Sequence, residues 1–499
     1  MLGRSKGIAL LTRRGLLAAL AATPLVLGAC GGSGPTRPSR ALPVPPLAAS
    51  ETVDGVRRFR LEAQAGRSEI LSGTFTPTWG FNGPVLGPTI RVRRGETVAF
   101  TVRNGLPEPT TVHWHGAHVP ARCDGGPHQT IAPGDIWEPS WTVDQPAATL
   151  WYHPHPHGVT EKHVHRGLAG MFLVDDDTPA ARALPHDYGV DDIPLIIQDR
   201  RFAADGTFDE RDPGDIGLLG DTIVTNGIAD AEFTVRTRRV RLRVLNGSSG
   251  RIYHLAFADD REFHLVGTDG GLLPAPVALR RLHLSPGERA EIVVDFADGR
   301  AALLRSVPVT ERGDLTDVAR FGFEDSFDIL WLRPVARLLP APPLPAALVP
   351  MTALVPPGTP ADRQFDLRWF MINRQRMDMN RIDLTVPLDS TQVWTVRNVD
   401  DWPHNFHIHD TRFQVLDIDG RTPPPELAGW KDTVYTRPGS TYTLAMRFTD
   451  YADPTYPYMY HCHLLMHEDQ GMMGQFLVLA PGQRPTPPPT PAGSGAHGH

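Results

Sequence analysis

The chain has 499 residues, 41% of them hydrophobic and 21% charged, with a formal net charge of −7. That balance argues against a disordered or membrane-embedded protein, and its acidic sign against nucleic acid as a partner. The length predicts about three domains, and 49 prolines with 47 glycines suit many short strands joined by turns.

Residues 1–29 read as an export signal and are set aside from the fold. Thr12-Arg13-Arg14-Gly15-Leu16-Leu17 resembles a twin-arginine leader, and the apolar run from Leu16 to Ala29 is too short to span a bilayer core. Leu27-Gly28-Ala29-Cys30 has the form of a bacterial lipobox, which would leave Cys30 lipidated. Ordinary cleavage, with Cys30 lost or incidental, is the alternative. Residues 30–50, rich in Gly, Pro and Ser, read as a flexible tether. The expected location is the cell envelope, periplasmic or anchored at Cys30, with membrane contact only through that lipid.

Three similar segments organise the rest. Thr101-Val102-Arg103-Asn104, Val240 to Asn246 and Thr395-Val396-Arg397-Asn398 alternate apolar and polar residues, the mark of half-buried antiparallel strands. We read an all-β chain of three β-sandwich domains, at 51–178, 185–335 and 363–482. A Pro-rich linker at 336–362 crosses from the second to the third, and a tail at 483–499 is expected to be disordered. The middle domain has no His-x-His pair and reads as a spacer without metal ligands.

The outer domains carry the chemistry. In chain order come His113-Trp114-His115-Gly116, Trp151-Tyr152-His153-Pro154-His155, His404-Asn405-Phe406-His407-Ile408-His409 and His461-Cys462-His463, followed by His467 and Met472. In an extended segment each His-x-His pair puts both rings on one face, roughly 6.5–7 Å apart at the alpha carbons. Alternation likewise turns Cys462 away from His461 and His463. A thiolate with His467, an axial Met472 and one further histidine is the ligand set of a blue-copper site. Eight imidazoles, His113, His115, His153, His155, His407, His409, His461 and His463, suit a cluster of three coppers, which leaves His404 for the blue site. A structural zinc site needs only four ligands and would leave most of these unexplained. Of the three cysteines, Cys30 is assigned to lipid and Cys462 to copper, so Cys123 has no partner and no disulfide is expected.

With these four motifs the chain resembles the multicopper oxidases, in particular the bacterial periplasmic branch of copper-efflux oxidases and bacterial laccases. The resemblance runs from about Leu61 to Leu479. It includes Gly125-Gly126-Pro127, Asp144 to Ala148, Gly220-Asp221-Thr222, Thr225-Asn226-Gly227 and Gly429 to Val434. It implies cupredoxin-like Greek-key domains and four copper ions. His404, Cys462, His467 and Met472 would hold the type 1 ion, and His113 with His407 the type 2 ion. His115, His153 and His463 would hold one type 3 ion, and His155, His409 and His461 the other. Asp124 and Glu468 match family positions linked to proton delivery.

The implied reaction is one-electron oxidation of a reductant coupled to reduction of dioxygen to water, in a monomeric enzyme. The methionine-rich insertion of copper-efflux oxidases is missing. Asp400 matches an acidic position at the site of the oxidised metal, while Trp402 stands where a methionine is expected. Methionines 371, 377 and 379 read as core fillers. The reductants expected are phenols and aromatic amines first and cuprous ion second. The alternatives are a copper-efflux cuprous oxidase, a copper nitrite reductase, and a non-enzymatic envelope protein that binds copper or acts as a scaffold.

Overall fold

The computed structural model describes residues 39–489 except 212, 311, 314 and 316. The leader, Cys30 and the terminal His497 and His499 lie outside the described residues. The all-β expectation is borne out: strands pair into six sheets, stacked two by two around three apolar cores. None of the described helices is long and apolar enough to cross a membrane.

In the first sandwich, Thr97–Asn104 shows why these residues pack as they do. Val98, Phe100 and Val102 turn inward on the period of two that a pleated strand imposes, while their neighbours stay half exposed. The facing sheet holds His113–His115 beside Ala148–His153, in antiparallel register His113 to His153 and Trp151 to His115. The third sandwich repeats this layout. Thr391–Asn398 lies at the centre of one sheet, and His404–Ile408 pairs with Tyr458–His461 in the other, His407 opposite His461. Each outer sandwich therefore places its two histidine-bearing segments on adjacent strands.

An asparagine closes the same strand in all three sandwiches. The Asn104 carboxamide donates to the carbonyls of Glu108 and Ile131 and accepts from the Leu106 N–H, each at 2.9 Å. Asn246 bonds Arg251, Leu284 and Ser248 in the same way, and Asn398 bonds Trp402, Thr436 and Asp400. A short side chain that satisfies three backbone groups fixes the turn leaving the strand. In the outer sandwiches that turn leads to the next His-x-His pair.

Three stretches depart from expectation. Residues 39–50 do not form a loose tether. Arg40–Ala41 pairs in parallel with Ala231–Thr237, Leu42 is buried in the middle core, and the Arg40 guanidinium donates to the carbonyls of Glu69 and Ile70. The strand Phe327–Leu339 runs past the expected domain end, and the Pro-rich segment beyond it packs Leu344, Leu348 and Val349 on the middle sandwich. Residues 483–489 follow the third sandwich rather than leaving it. Thr486 N–H donates to the Pro454 carbonyl, and the Pro489 carbonyl accepts from His128. Prolines cannot donate to a ladder, but their carbonyls still accept.

Candidate metal centres

The eight cluster histidines, predicted from spacing alone, converge between the first and third sandwiches, and all are buried. Polar neighbours mark an outer and an inner nitrogen on seven of the eight rings. Nδ1 of His113 donates to the Asp124 carbonyl at 2.9 Å, that of His407 to the Asp432 carbonyl at 2.8 Å, and that of His153 to the Pro154 carbonyl at 2.8 Å. Nδ1 of His409 meets the Asp124 carboxylate at 2.7 Å. Nδ1 of His155 and of His461 each lie 3.2 Å from Glu468. A proton held outward leaves the other nitrogen with a lone pair pointing in, the state a metal requires.

The inner nitrogens behave accordingly. Nε2 of His461 lies 3.2 Å from that of His155 and 3.3 Å from that of His409. Nε2 of His113 and of His407 are buried without a partner, as are both ring nitrogens of His463. His115 is reversed. Its Nε2 faces Asp432 at 3.1 Å and Thr433 at 3.2 Å, so its Nδ1 points inward, 3.4 Å from His153 Nε2. The His463 ring closes this group, 4.8 Å from His115 and 5.2 Å from His153 between centroids. Burial also pushes the His155 imidazole down to about 3 and that of His407 to about 4. Buried lone pairs facing one another with no donor between them fit copper ions.

The second centre adjoins the first through one peptide. The strand Tyr458–His461 ends just before Cys462, and the thiol points away from the cluster. Its Sγ lies 3.6 Å from His467 Nδ1 and 3.8 Å from His404 Nδ1. Met472 is backbone-bonded to both sides: its carbonyl accepts from Cys462 and its N–H donates to the His467 carbonyl. His467 and Glu468 are neighbours on the short helix Leu465–Asp469, so one turn of helix serves both centres. Burial pushes the Cys462 thiol up to about 12 and His467 down to about 3. A soft sulfur with two neutral imidazoles fits copper here too.

The outward faces of these two rings are covered. His467 donates through Nε2 to the Asp215 carbonyl at 2.8 Å, and His404 Nε2 meets Asp400 at 3.3 Å. Trp402 lies 6.1 Å from the His467 ring, so both residues expected at the reductant site adjoin a ligand. Methionines 371, 377 and 379 are half buried or near it, not core residues.

Sequence reasoning missed the middle sandwich's part in the cluster. Asp432, which bonds His115 and supports His407, is gripped by the Arg289 guanidinium through both carboxylate oxygens. Arg289 and Asp269 come from the middle sandwich, and Lys431 bonds Asp269 at 3.0 Å and Glu288 at 2.8 Å. All are buried, and Arg289 keeps Asp432 ionised against the effect of burial. The signal was Gly116. At φ +83 it takes a backbone shape that favours glycine, and a Cβ there would sit 2.5 Å from Arg289 and 2.6 Å from Asp432. Gly287 is its counterpart, where a Cβ would sit 3.0 Å from the His463 ring. Among the described residues, none of the candidate metal clusters takes a ligand atom from the middle sandwich.

The remaining histidines have other duties. His163 lies between Thr110 and Glu108, His118 bridges Asp410 and Asp450, and His157 is exposed. Cys123 is a buried thiol facing the Ser140 carbonyl.

Two sequence-family profiles, both described as multicopper oxidase, match residues 62–179 and 352–482. The chain is 35% identical to multicopper oxidase mco of Staphylococcus haemolyticus, over 85% of this chain and 89% of that protein. It is 38% identical to cell division protein FtsP of Salmonella typhimurium, over 90% of this chain and 96% of that protein. Among solved structures it is similar to the laccase-like multicopper oxidase CueO of Ochrobactrum sp., at 36% identity with a TM-score of 0.79. That match covers 88% of this chain and all of the other.

Proposed function

This chain belongs to the multicopper oxidase family and is a copper oxidoreductase, and we propose that it acts as a laccase-like oxidase of phenols and aromatic amines. Cuprous ion is the secondary reductant. His404, Cys462, His467 and Met472 would hold a type 1 ion, and His113 with His407 a type 2 ion. His115, His153 and His463 would hold one type 3 ion, and His155, His409 and His461 the other. Bound copper would supply one-electron acceptance at Cys462 and four-electron reduction of dioxygen to water at the histidine cluster.

One observation carries the reading: Cys462 lies against His404 and His467 while the two residues flanking it, His461 and His463, line the cluster. The peptide between them is a covalent link a few bonds long. The chain's own groups do the rest. Asp124 accepts from the outer nitrogen of His409 and Glu468 lies 3.2 Å from those of His155 and His461, and we assign both proton delivery. Asp400 and Trp402 border the reductant site. The solved relative from Ochrobactrum is described as active on lignin model compounds and lignosulfonate, which agrees in substrate class. The absence of a methionine-rich cover points the same way.

We place the protein in the cell envelope, exported through its twin-arginine-type leader and periplasmic or anchored at Cys30, as a monomer of three cupredoxin-like domains. The similarity to FtsP favours a second reading, an envelope protein without oxidase activity. Against it, all twelve expected ligand positions here carry a ligand residue. The test is metal stoichiometry with absorption and electron-spin-resonance spectra of the copper-loaded protein, followed by oxygen uptake with a phenol. Four coppers, a blue band and phenol-dependent uptake are expected. A blue, four-copper protein with no uptake on any reductant would favour the second reading.

A further inference from the structure

The turn that joins Arg363–Arg368 to Met371–Ile372 has the wrong residues for its shape. Arg368 pairs with Met371, so the loop is the two residues Trp369 and Phe370. Two-residue hairpin loops favour Asn-Gly, Asp-Gly or glycine at the first position. Here the first position is Trp369 at φ +53, a left-handed shape that is a genuine outlier for so bulky a side chain. The indole is also 48% exposed, so apolar burial does not explain it.

Both loop residues lead to the type 1 ligands. The Trp369 N–H donates to the Asp400 carboxylate, which in turn meets His404 Nε2 at 3.3 Å. The Phe370 ring lies 5.3 Å from the His467 ring and 5.7 Å from Trp402. The Arg368 guanidinium sits 5.1 Å from the centre of the Trp369 ring, and Arg376 sits 5.7 Å from that of Phe370. Backbone strain kept beside the ligand residues, with a large ring presented to solvent, marks this turn as a candidate for function.

Building on the oxidase reading, we propose that Trp369 is a specificity-determining residue: planar aromatic reductants stack on its indole and give up their electron beside His404. The indole is a flat apolar surface about half exposed, and Arg368 on the ring favours an electron-rich or carboxylated partner. Cuprous ion has no use for such a surface. Trp369 thus sets a preference for aromatics over metal ions, through binding and not through the redox centre itself.

The test uses Trp369→Asn, whose side chain suits φ +53, with Trp369→Tyr as the conservative variant. Copper-free full-length protein is titrated calorimetrically with 4-methoxybenzoate, an aromatic that phenol chemistry leaves alone. Trp369→Asn should weaken binding by about 3- to 10-fold, the range of one aromatic stack, and Trp369→Tyr should restore most of it. On copper-loaded enzyme the KM for a phenol should rise by the same factor, with the blue band unchanged and Tm no lower than wild type. Equal affinity and KM in wild type and Trp369→Asn would overturn the proposal, as would a matching loss in Trp369→Tyr. Should wild type bind the benzoate through Trp369 yet oxidise no phenol, the oxidase reading fails and the platform stands.

Discussion

Asp124 lies on the far side of the cluster histidines, 2.7 Å from His409 Nδ1 and 3.5 Å from His113 Nδ1. A carboxylate there can do two things, orient the imidazoles and relay a proton. Asparagine keeps the shape and loses the second. Asp124→Asn should therefore slow oxygen uptake by about 100-fold, the low end of general acid–base effects, while the blue absorption stays at full height. Stopped-flow reoxidation of the reduced protein measures this directly, and wild-type rates in the variant would remove Asp124 from proton transfer. Cys123 shows the opposite case at the same scale. Burial pushes its thiol up, with the Asp124 charge adding to the effect, so it lacks the thiolate character of a reactive cysteine.

Loops, more than strands, connect the centres to the fold. The Lys431-Asp432-Thr433 segment carries the carboxylate that Arg289 holds, and Arg289 belongs to a strand of the middle sandwich, Arg289–Asp295. Arg289→Met would leave Asp432 buried and unpaired, at a cost of about 3–5 kcal/mol. Its denaturation midpoint should fall accordingly, and the type 2 resonance of the copper-loaded protein should change while the blue band persists; Arg289→Lys should recover part of both. A midpoint equal to wild type would mean that the pair is not structural. Gly116→Ala brings a methyl against the same pair and should lower copper content at the cluster by metal analysis. These elements also mark what could be read from the chain. His-x-His spacing and the recurring Asn104, Asn246 and Asn398 are local patterns, so the strands, the repeat and the donors were all legible. Arg289 and Asp215 serve the site from positions with no local signature, one through a guanidinium and the other through a backbone carbonyl. Residues 39–50 looked like a linker by composition, yet Arg40 and Leu42 dock them, because a few specific partners outweigh an average.

Across the whole molecule, the first and third sandwiches are clasped by charge as well as by the histidine cluster they share. The Asp469 carboxylate accepts from the N–H groups of Thr160 and Glu161, capping the helix Thr160–His165 of the other sandwich. His118 donates to Asp410 at 2.9 Å and to Asp450 at 3.0 Å, with Tyr451 against its ring and the Gln145 carboxamide on its backbone N–H. Burial alone would lower this imidazole, but Asp410 and then Asp450 raise it to about 9. A raised folded-state value adds stability that is complete where both states are protonated, below the unfolded value near 6.5, and that declines above it, where only the fold still holds the proton. The benefit, at most about 3 kcal/mol, is complete below that point and lost as pH climbs through 9. The gap in thermal midpoint between wild type and His118→Gln should thus be widest in mild acid and close above pH 9; a constant gap would show that the clasp does not titrate. The donors themselves come from residues 113–155 at one end and 404–472 at the other, with the middle sandwich between. A ribosome must pass residue 472 before the two halves of the pocket can meet. A chain that stops short of His461 lacks three of the four blue-site residues and two of the eight cluster imidazoles, so on the oxidase reading it would hold no complete copper set.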